Sequence, residues 1–136
     1  MGIDLLFETG RFNLSEVRPH FINPCCFGED AAAWLRARLA ERRIDADEPG
    51  QEDWGWYLGA TCAGRVYFVG VGGNGAERAG DPNWGEWRVI VEKRRSLVER
   101  LVGRERMTAD DELVAVIRSI LEAEPGIRDV RFEAGP

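Results

Sequence analysis

The chain has 136 residues, of which 44% are hydrophobic and 31% charged, and its net charge at pH 7 is −6. A chain of this length forms one domain that buries about two-thirds of its unfolded surface, so neither disulfides nor a metal is needed for stability. The acidic balance disfavours binding to nucleic acid or to an anionic membrane. Three cysteines are too few, and odd in number, for a disulfide framework.

The N-terminus lacks a basic region followed by a long apolar run, so it does not resemble a signal peptide. No apolar run approaches the roughly 20 residues needed to span a bilayer. We therefore expect a single cytoplasmic domain over residues 1–136. The arginine- and alanine-rich composition is typical of a bacterial protein.

The first elements are a strand region and a helix. Residues 3–7 and 11–17 flank a turn-like sequence and predict either a hairpin or one bent strand. A proline-containing loop follows, and a helix is predicted from Gly28 to Arg43. Glu29 and Asp30 fall in its first turn and arginines in its last, which suits the helix dipole. Residues 44–53 are predicted to form a polar connection.

Residues 54–73 carry the strongest strand signal, because aromatic and β-branched side chains dominate on both sides of a tight turn at Ala63-Gly64. Trp54 and Trp56 recur with period two, which predicts that they share one side of the first strand. A glycine-rich loop over residues 72–85 and a third strand around Trp87 follow. We expect this hairpin and third strand to form a meander.

The C-terminal part predicts a helix and a last strand. Residues 94–103 fit a short amphipathic helix, although the segment is ambiguous. The next helix begins at Thr108 as N-cap, with Asp111 three residues on as in a capping box, and Pro125-Gly126 ends it. Residues 127–132 alternate as a final strand.

This order of elements predicts an α+β fold. Strands that are neighbours in sequence favour a largely antiparallel sheet, of four to six strands, with two main helices packed on one face as a two-layer sandwich. The tryptophans around Trp54, Trp56 and Trp87 then either pack in the core or form an exposed aromatic surface.

The candidates for nucleophilic or metal chemistry are His20, Cys25 and Cys26. A thiolate just before a helix N-terminus is activated, and a nearby imidazole can act as its base. Adjacent cysteines cannot easily bind one ion together, and His20 is the only histidine, so we expect no metal site. The alternative is a purely structural role, in which these thiols pack beneath the first helix.

The glycine-rich segment from Gly70 to Gly75 follows a strand, as a phosphate-binding loop does. Such a loop opens directly into a helix, whereas here Pro82 and a further strand follow. We therefore expect no nucleotide and no other cofactor. The loop with Asn74 and Trp84 is instead a place for partner contact.

The acidic pair Glu52-Asp53 precedes Trp54 and follows two further carboxylates. Its spacing fits no calcium loop, and a charge run is usually a solvated surface. Together with Trp54, Trp56, Asn74 and Trp84 it predicts a surface for another protein, and its charge favours a basic one, with no role for nucleic acid or membrane.

Two classes of function remain. The favoured one is a non-enzymatic protein-binding module that uses this acidic and aromatic surface. Bacterial immunity proteins, which plug a toxin's active site, are analogous in size and charge alone. The alternative is a small enzyme or ligand-binding protein that uses Cys25 or Cys26 with His20, or the Glu52-Asp53 pair, in a pocket.

Overall fold

The computed structural model describes residues 2–22, 26–75, 80–93 and 108–133. Within them the chain has an α+β fold with one antiparallel sheet of seven strands and two helices, so the expected four to six strands were too few. The strands are β1 (Ile3–Thr9), β2 (Asp45–Ala46), β3 (Gly50–Glu52), β4 (Gly55–Cys62), β5 (Arg65–Gly75), β6 (Gly85–Lys93) and β7 (Ile127–Phe132), and the helices are α1 (Glu29–Glu41) and α2 (Glu112–Ala123).

The strand order in the sheet is β2-β4-β5-β6-β1-β7, and β3 also pairs with β4. The predicted meander is therefore present as β4, β5 and β6. Its first turn has Ala63 and Gly64 at φ of 52° and 75°, as a tight hairpin turn requires. The first strand of the chain lies between the third strand of the meander and the last strand of the chain.

The connection between α1 and β4 is not the purely polar loop expected from its sequence. Asp45 pairs with Thr61, and Gly50 pairs with Tyr57, so two short strands line the same edge of β4. The Nε of Arg36 donates to the carbonyl oxygen of Ala46 at 3.0 Å, which ties β2 to α1. Strands of two and three residues are too short to produce a readable alternation.

The N-terminal region forms one strand and not a hairpin, since no strand occurs in residues 10–22. Its end is fixed by Thr9, whose buried hydroxyl donates to the carbonyl oxygen of Gly126 at 2.8 Å. The segment after Thr9 then turns to the core side of the sheet. Phe12 is 4% exposed, and its ring lies 5.5 Å from that of Trp34 and 5.4 Å from that of Trp87.

The core contains one set of alternate side chains from β1, β4, β5 and β6 together with the buried residues of both helices. Trp87 is fully buried, and Trp56 is 4% exposed, so both belong to this core. Both helices contribute an apolar stripe to this core. The helix residues buried there are Ala31, Ala32, Leu35, Leu39, Leu113, Val114, Ile117, Ile120 and Leu121.

Helix α2 begins later than expected, because Asp111 and not Thr108 is its N-cap. The carboxylate of Asp111 accepts hydrogen bonds from the backbone N–H groups of Leu113 and Val114. It also accepts from the hydroxyl of Tyr67 at 3.0 Å and pairs with the ammonium group of Lys93 at 3.0 Å. This buried cluster joins the start of α2 to β5 and β6.

The predicted helix over residues 94–103 lies outside the described residues. In the described part of the chain, neither helix is long and apolar enough to cross a membrane. The last predicted strand is confirmed as β7, but its alternation is interrupted. The register with β1 shifts between Leu6 and Glu8, and Asp129 has a φ of 57°, as in a β-bulge.

The Tyr67 hydroxyl gives a testable dependence of stability on pH. Burial, with the hydrogen bond to Asp111 and its charge, raises the pKa of Tyr67 above its ordinary value. An unfolded chain releases this proton near pH 10, roughly the ordinary pKa, while the folded protein keeps it. The stabilisation from this proton is therefore fully present below pH 10 and is lost as the pH rises further.

We expect the free energy of unfolding of Tyr67→Phe to fall less steeply above pH 10 than that of the wild type. The difference in slope should be about 1.4 kcal/mol per pH unit, the value for one proton. Urea unfolding at a series of alkaline pH values measures it. Equal slopes for Tyr67→Phe and the wild type would contradict the role of Tyr67.

Candidate functional site

The side of the sheet opposite the core residues, here called the outer face, carries two kinds of side chain. Aromatic residues and glycines occupy β4 and β5, whereas charged residues dominate β6, β1 and β7. This division follows from the registers of the strands. The outer face includes Tyr57, Gly59, Val66, Phe68, Gly70, Glu86, Arg88, Ile90, Glu92, Asp4, Leu6, Glu8, Arg128 and Arg131.

Three rings, those of Trp54, Tyr57 and Phe68, form what we call the aromatic cluster. Tyr57 and Phe68 are stacked, with ring centroids 5.6 Å apart and an interplanar angle of 19°. The Trp54 ring lies 6.0 Å from Phe68 at an angle of 61°. Trp54 is 48% exposed, and the other two rings are half-buried. An exposed group of aromatic rings is typical of a binding surface.

Trp54 reaches the outer face because the alternation of β4 begins only after it. Gly55 has a φ of 158°, a conformation that favours glycine, and the strand continues from there with Trp56 directed into the core. The edge of the Trp54 indole then lies over Gly70, which has no side chain to obstruct it. The expectation that Trp54 and Trp56 share one side is therefore wrong.

Carboxylates border the aromatic cluster on both sides of Phe68. Phe68 pairs with Gly59 on β4 and with Glu92 on β6. The carboxylate of Asp47 lies so close to Gly59 that a methyl group there would collide with it. Asp47 and Glu92 are exposed, and among the described residues neither forms an ion pair. Phe68 thus lies between two carboxylates that have no cationic partner in the described part of the chain.

The other half of the outer face provides its own counterions. Arg88 on β6 pairs with the carboxylates of Asp4 and Glu133, and two of its nitrogens bind the two Glu133 oxygens. The hydrogen bond to Glu133 raises the pKa of the guanidinium, and the same bond holds the pKa of the Glu133 carboxyl below its usual range. Arg88 is therefore saturated with intramolecular partners.

A second arginine, Arg131 on β7, lies among three carboxylates. It pairs with Glu86 at 2.6 Å, with Asp129 at 2.8 Å and with Glu8 at 3.8 Å. A hydrogen bond between Glu8 and Asp129, with some desolvation, raises the pKa of Glu8. The bulge at Asp129 brings these acidic groups together, and Arg131 offsets part of their repulsion.

The sequence-predicted catalytic candidates lie near the start of α1. His20 Nε2 is 2.6 Å from the carboxylate of Glu29, and the His20 ring lies 6.1 Å from that of Trp56. The Cys26 thiol donates to the carbonyl oxygen of Asp53 at 3.0 Å. His20 and Cys26 thus both lie beside Trp56, whose indole N–H donates to the Cys26 carbonyl oxygen at 3.2 Å. Cys25 lies outside the described residues.

The predicted partner-binding residues are distributed over three places. Glu52, Asp53 and Trp54 form the exposed turn before β4. Trp56 contributes to the core. Asn74 is exposed near the end of β5, and Trp84, just before β6, is half-buried. The exposed part of the predicted surface is therefore centred on the turn with Trp54.

Sequence reasoning included the acidic run from Asp47 but missed Tyr57 and Phe68 as members of this surface. Both could have been found from alternation, since each occupies the opposite phase to a buried neighbour, Trp56 and Tyr67 respectively. Two aromatic residues in the outward phase of paired strands indicate an exposed aromatic surface. No pattern predicts that Asp47 lies beside Gly59.

A cleft of about 490 Å³ lies beside α1, away from the aromatic cluster. It is lined by Glu29, Asp30, Ala33, Arg36, Glu48 and Pro49. Among the residues that the structure describes, no group of three or more histidine, cysteine or acidic side chains could hold a metal ion. Cys62 is buried, and burial raises the pKa of its thiol, which disfavours a nucleophilic role.

Comparison with known proteins gives no match: no family model fits this chain, and no curated protein or solved structure matches it.

The position of Trp54 over Gly70 can be tested with two glycine substitutions. A Cβ at residue 70 would lie 2.9 Å from the tip of the Trp54 indole, whereas the nearest atom to a Cβ at residue 72 is 3.9 Å away. We expect Gly70→Ala to displace the indole, so that acrylamide quenches the Trp54 fluorescence more strongly than in the wild type. The Trp54 fluorescence is isolated by subtracting the emission of a protein that carries Trp54→Phe in the same background. Gly72→Ala should keep wild-type quenching.

Both variants should remain folded, because neither glycine has the positive φ that penalises alanine. Their free energies of unfolding should stay within about 1 kcal/mol of the wild-type value. Circular dichroism and urea unfolding check this control. If acrylamide quenches the Trp54 fluorescence equally in Gly70→Ala and Gly72→Ala, the Trp54 indole does not lie over Gly70.

Proposed function

We propose that this chain is a non-enzymatic, cytoplasmic protein-binding domain whose contact surface is the aromatic cluster and the carboxylates beside it. The single observation that carries the proposal is the exposure of Trp54 next to Tyr57 and Phe68 on the outer face. Tryptophan and tyrosine are enriched among the residues that dominate binding energy.

The arrangement of the layers supports this function. We infer a two-layer sandwich in which both described helices pack against the core side of the sheet, so that no helix among the described residues covers the outer face. The rings supply apolar area that a partner can bury. A further exposed apolar side chain, Val66, extends this surface along β5.

Charge favours a basic partner. The chain has a net charge of −6, and carboxylates lie at the turn before β4 and on both sides of Phe68. Complementary charge speeds encounter with a cationic protein, and rings that become fully desolvated then provide the affinity. The surface therefore suits a partner with basic and apolar groups together.

An affinity capture from the cells that encode the protein tests this proposal. We expect wild-type bait to retain a basic partner that elutes as the salt concentration rises. Trp54→Ala should weaken its retention at least tenfold, about the 1.4 kcal/mol or more typical of an aromatic hot spot.

Val17→Ala is the matched control, because Val17 is 50% exposed and lies in the segment after β1, which contributes no strand to the outer face. It should retain the partner as the wild type does. A partner that both variants retain equally, or that salt does not release, would overturn the proposal.

The alternative, an enzyme that uses Cys26 with His20, is tested by thiol reactivity. The Cys26 thiol donates to the Asp53 carbonyl oxygen, a bond that must break before a nucleophilic thiolate forms. In Cys25→Ser we expect Cys26 to react with a disulfide reagent at neutral pH no faster than a free model thiol. Faster reaction, lost again in Cys26→Ser or in His20→Ala, would favour the enzyme.

A further inference from the structure

The two halves of the outer face differ in how their carboxylates are neutralised. On β6, β1 and β7, Arg88 and Arg131 each pair with two or more carboxylates from other parts of the outer face or its rim. On β4 and β5 no arginine occupies the outward positions, and within the described residues the two carboxylates that border these strands, Asp47 before β3 and Glu92 near the end of β6, have no ion pair. One half is thus complemented by the chain itself, and the other half is not.

The half of the outer face whose carboxylates lack an internal ion pair within the described residues combines two kinds of group that bind a guanidinium. Carboxylates accept its N–H groups in pairs, and aromatic faces attract its planar cation. Phe68 lies between Asp47 and Glu92 and is extended by the stacked ring of Tyr57. A guanidinium that stacks on these rings would place its N–H groups within reach of carboxylates on both sides.

The chain itself provides examples of both interactions. Arg88 binds the two oxygens of Glu133 with two nitrogens. On the other side of the molecule, the guanidinium carbon of Arg118 lies 4.9 Å from the centre of the Phe132 ring. An ammonium group is a point charge that is more strongly hydrated and offers no planar surface for stacking, so lysine suits this surface less well.

We propose that the aromatic cluster with Asp47 and Glu92 is a binding site for arginine side chains in a segment of the partner protein. This inference rests on the proposed function and specifies the chemistry of the partner. The occupant is an arginine-containing segment that crosses β4 and β5, with one guanidinium over Phe68.

The test uses a short blocked peptide of alternating arginine and glycine, with the corresponding lysine peptide for comparison. Binding is measured by isothermal titration calorimetry with the full chain at low and at physiological salt. We expect the arginine peptide to bind several-fold more tightly than the lysine peptide. Asp47→Asn and Glu92→Gln should each weaken its binding about two- to fivefold, the range for an exposed ion pair.

Two further variants distinguish binding at this site from a general effect of net charge and from a loss of folded structure. Glu122→Gln changes the net charge equally but lies on α2, and it should bind the arginine peptide as the wild type does. Phe68→Leu keeps an apolar side chain and should lower the affinity about two- to fivefold through loss of the ring. Circular dichroism establishes that each variant is folded.

Equal affinity for the two peptides, or equal losses for Glu92→Gln and Glu122→Gln, would overturn the arginine site and leave only a general attraction to cations. The protein-binding function would survive that result if Trp54→Ala still released the captured partner. If Trp54→Ala also had no effect on capture, the proposed function itself would be wrong.

Discussion

The antiparallel register of β4, β5 and β6 is the constraint on which the rest of this structure depends. Because side chains alternate across a strand, fixing Leu58 opposite Val69 and Val69 opposite Val91 buries one side of all three strands. The same pairing fixes Phe68 between Gly59 and Glu92 on the other side. The core and the candidate surface are therefore two results of one register, and a slip of one residue would exchange them.

Most of the fold could be predicted because its main elements carry strong local signals. The turn at Ala63-Gly64 and the aromatic strands beside it specify the hairpin, and the apolar spacing of both helices matches what is buried. The N-cap of α2 was misplaced because Thr108 and Asp111 both fit a helix start. Tertiary contacts decide between them, since Asp111 also accepts a hydrogen bond from the Tyr67 hydroxyl and forms an ion pair with the Lys93 ammonium group.

The candidate surface was harder to predict, because it depends on where the alternation begins. A period of two predicts that Trp54 and Trp56 lie on the same side of the strand. This is wrong for Trp54, since the glycine between them interrupts the strand conformation. The acidic run from Asp47 could be assigned to the surface from sequence, but the position of Asp47 beside Gly59 could not. Its segment joins two very short strands, and only their pairing with β4 brings the carboxylate beside Gly59.

The different composition of the two halves of the outer face has a physical consequence for binding. Where Arg88 and Arg131 already bind their neighbours, a charged partner must first displace well-formed ion pairs and desolvate both sides, which offsets what it gains. Where Asp47 and Glu92 form no such pair with any described residue, an incoming cation gains attraction without breaking one. Adjacent rings exclude water as they are covered and so strengthen that attraction. The half rich in aromatic residues is thus where a partner gains most, even though charged residues are more numerous on the other half.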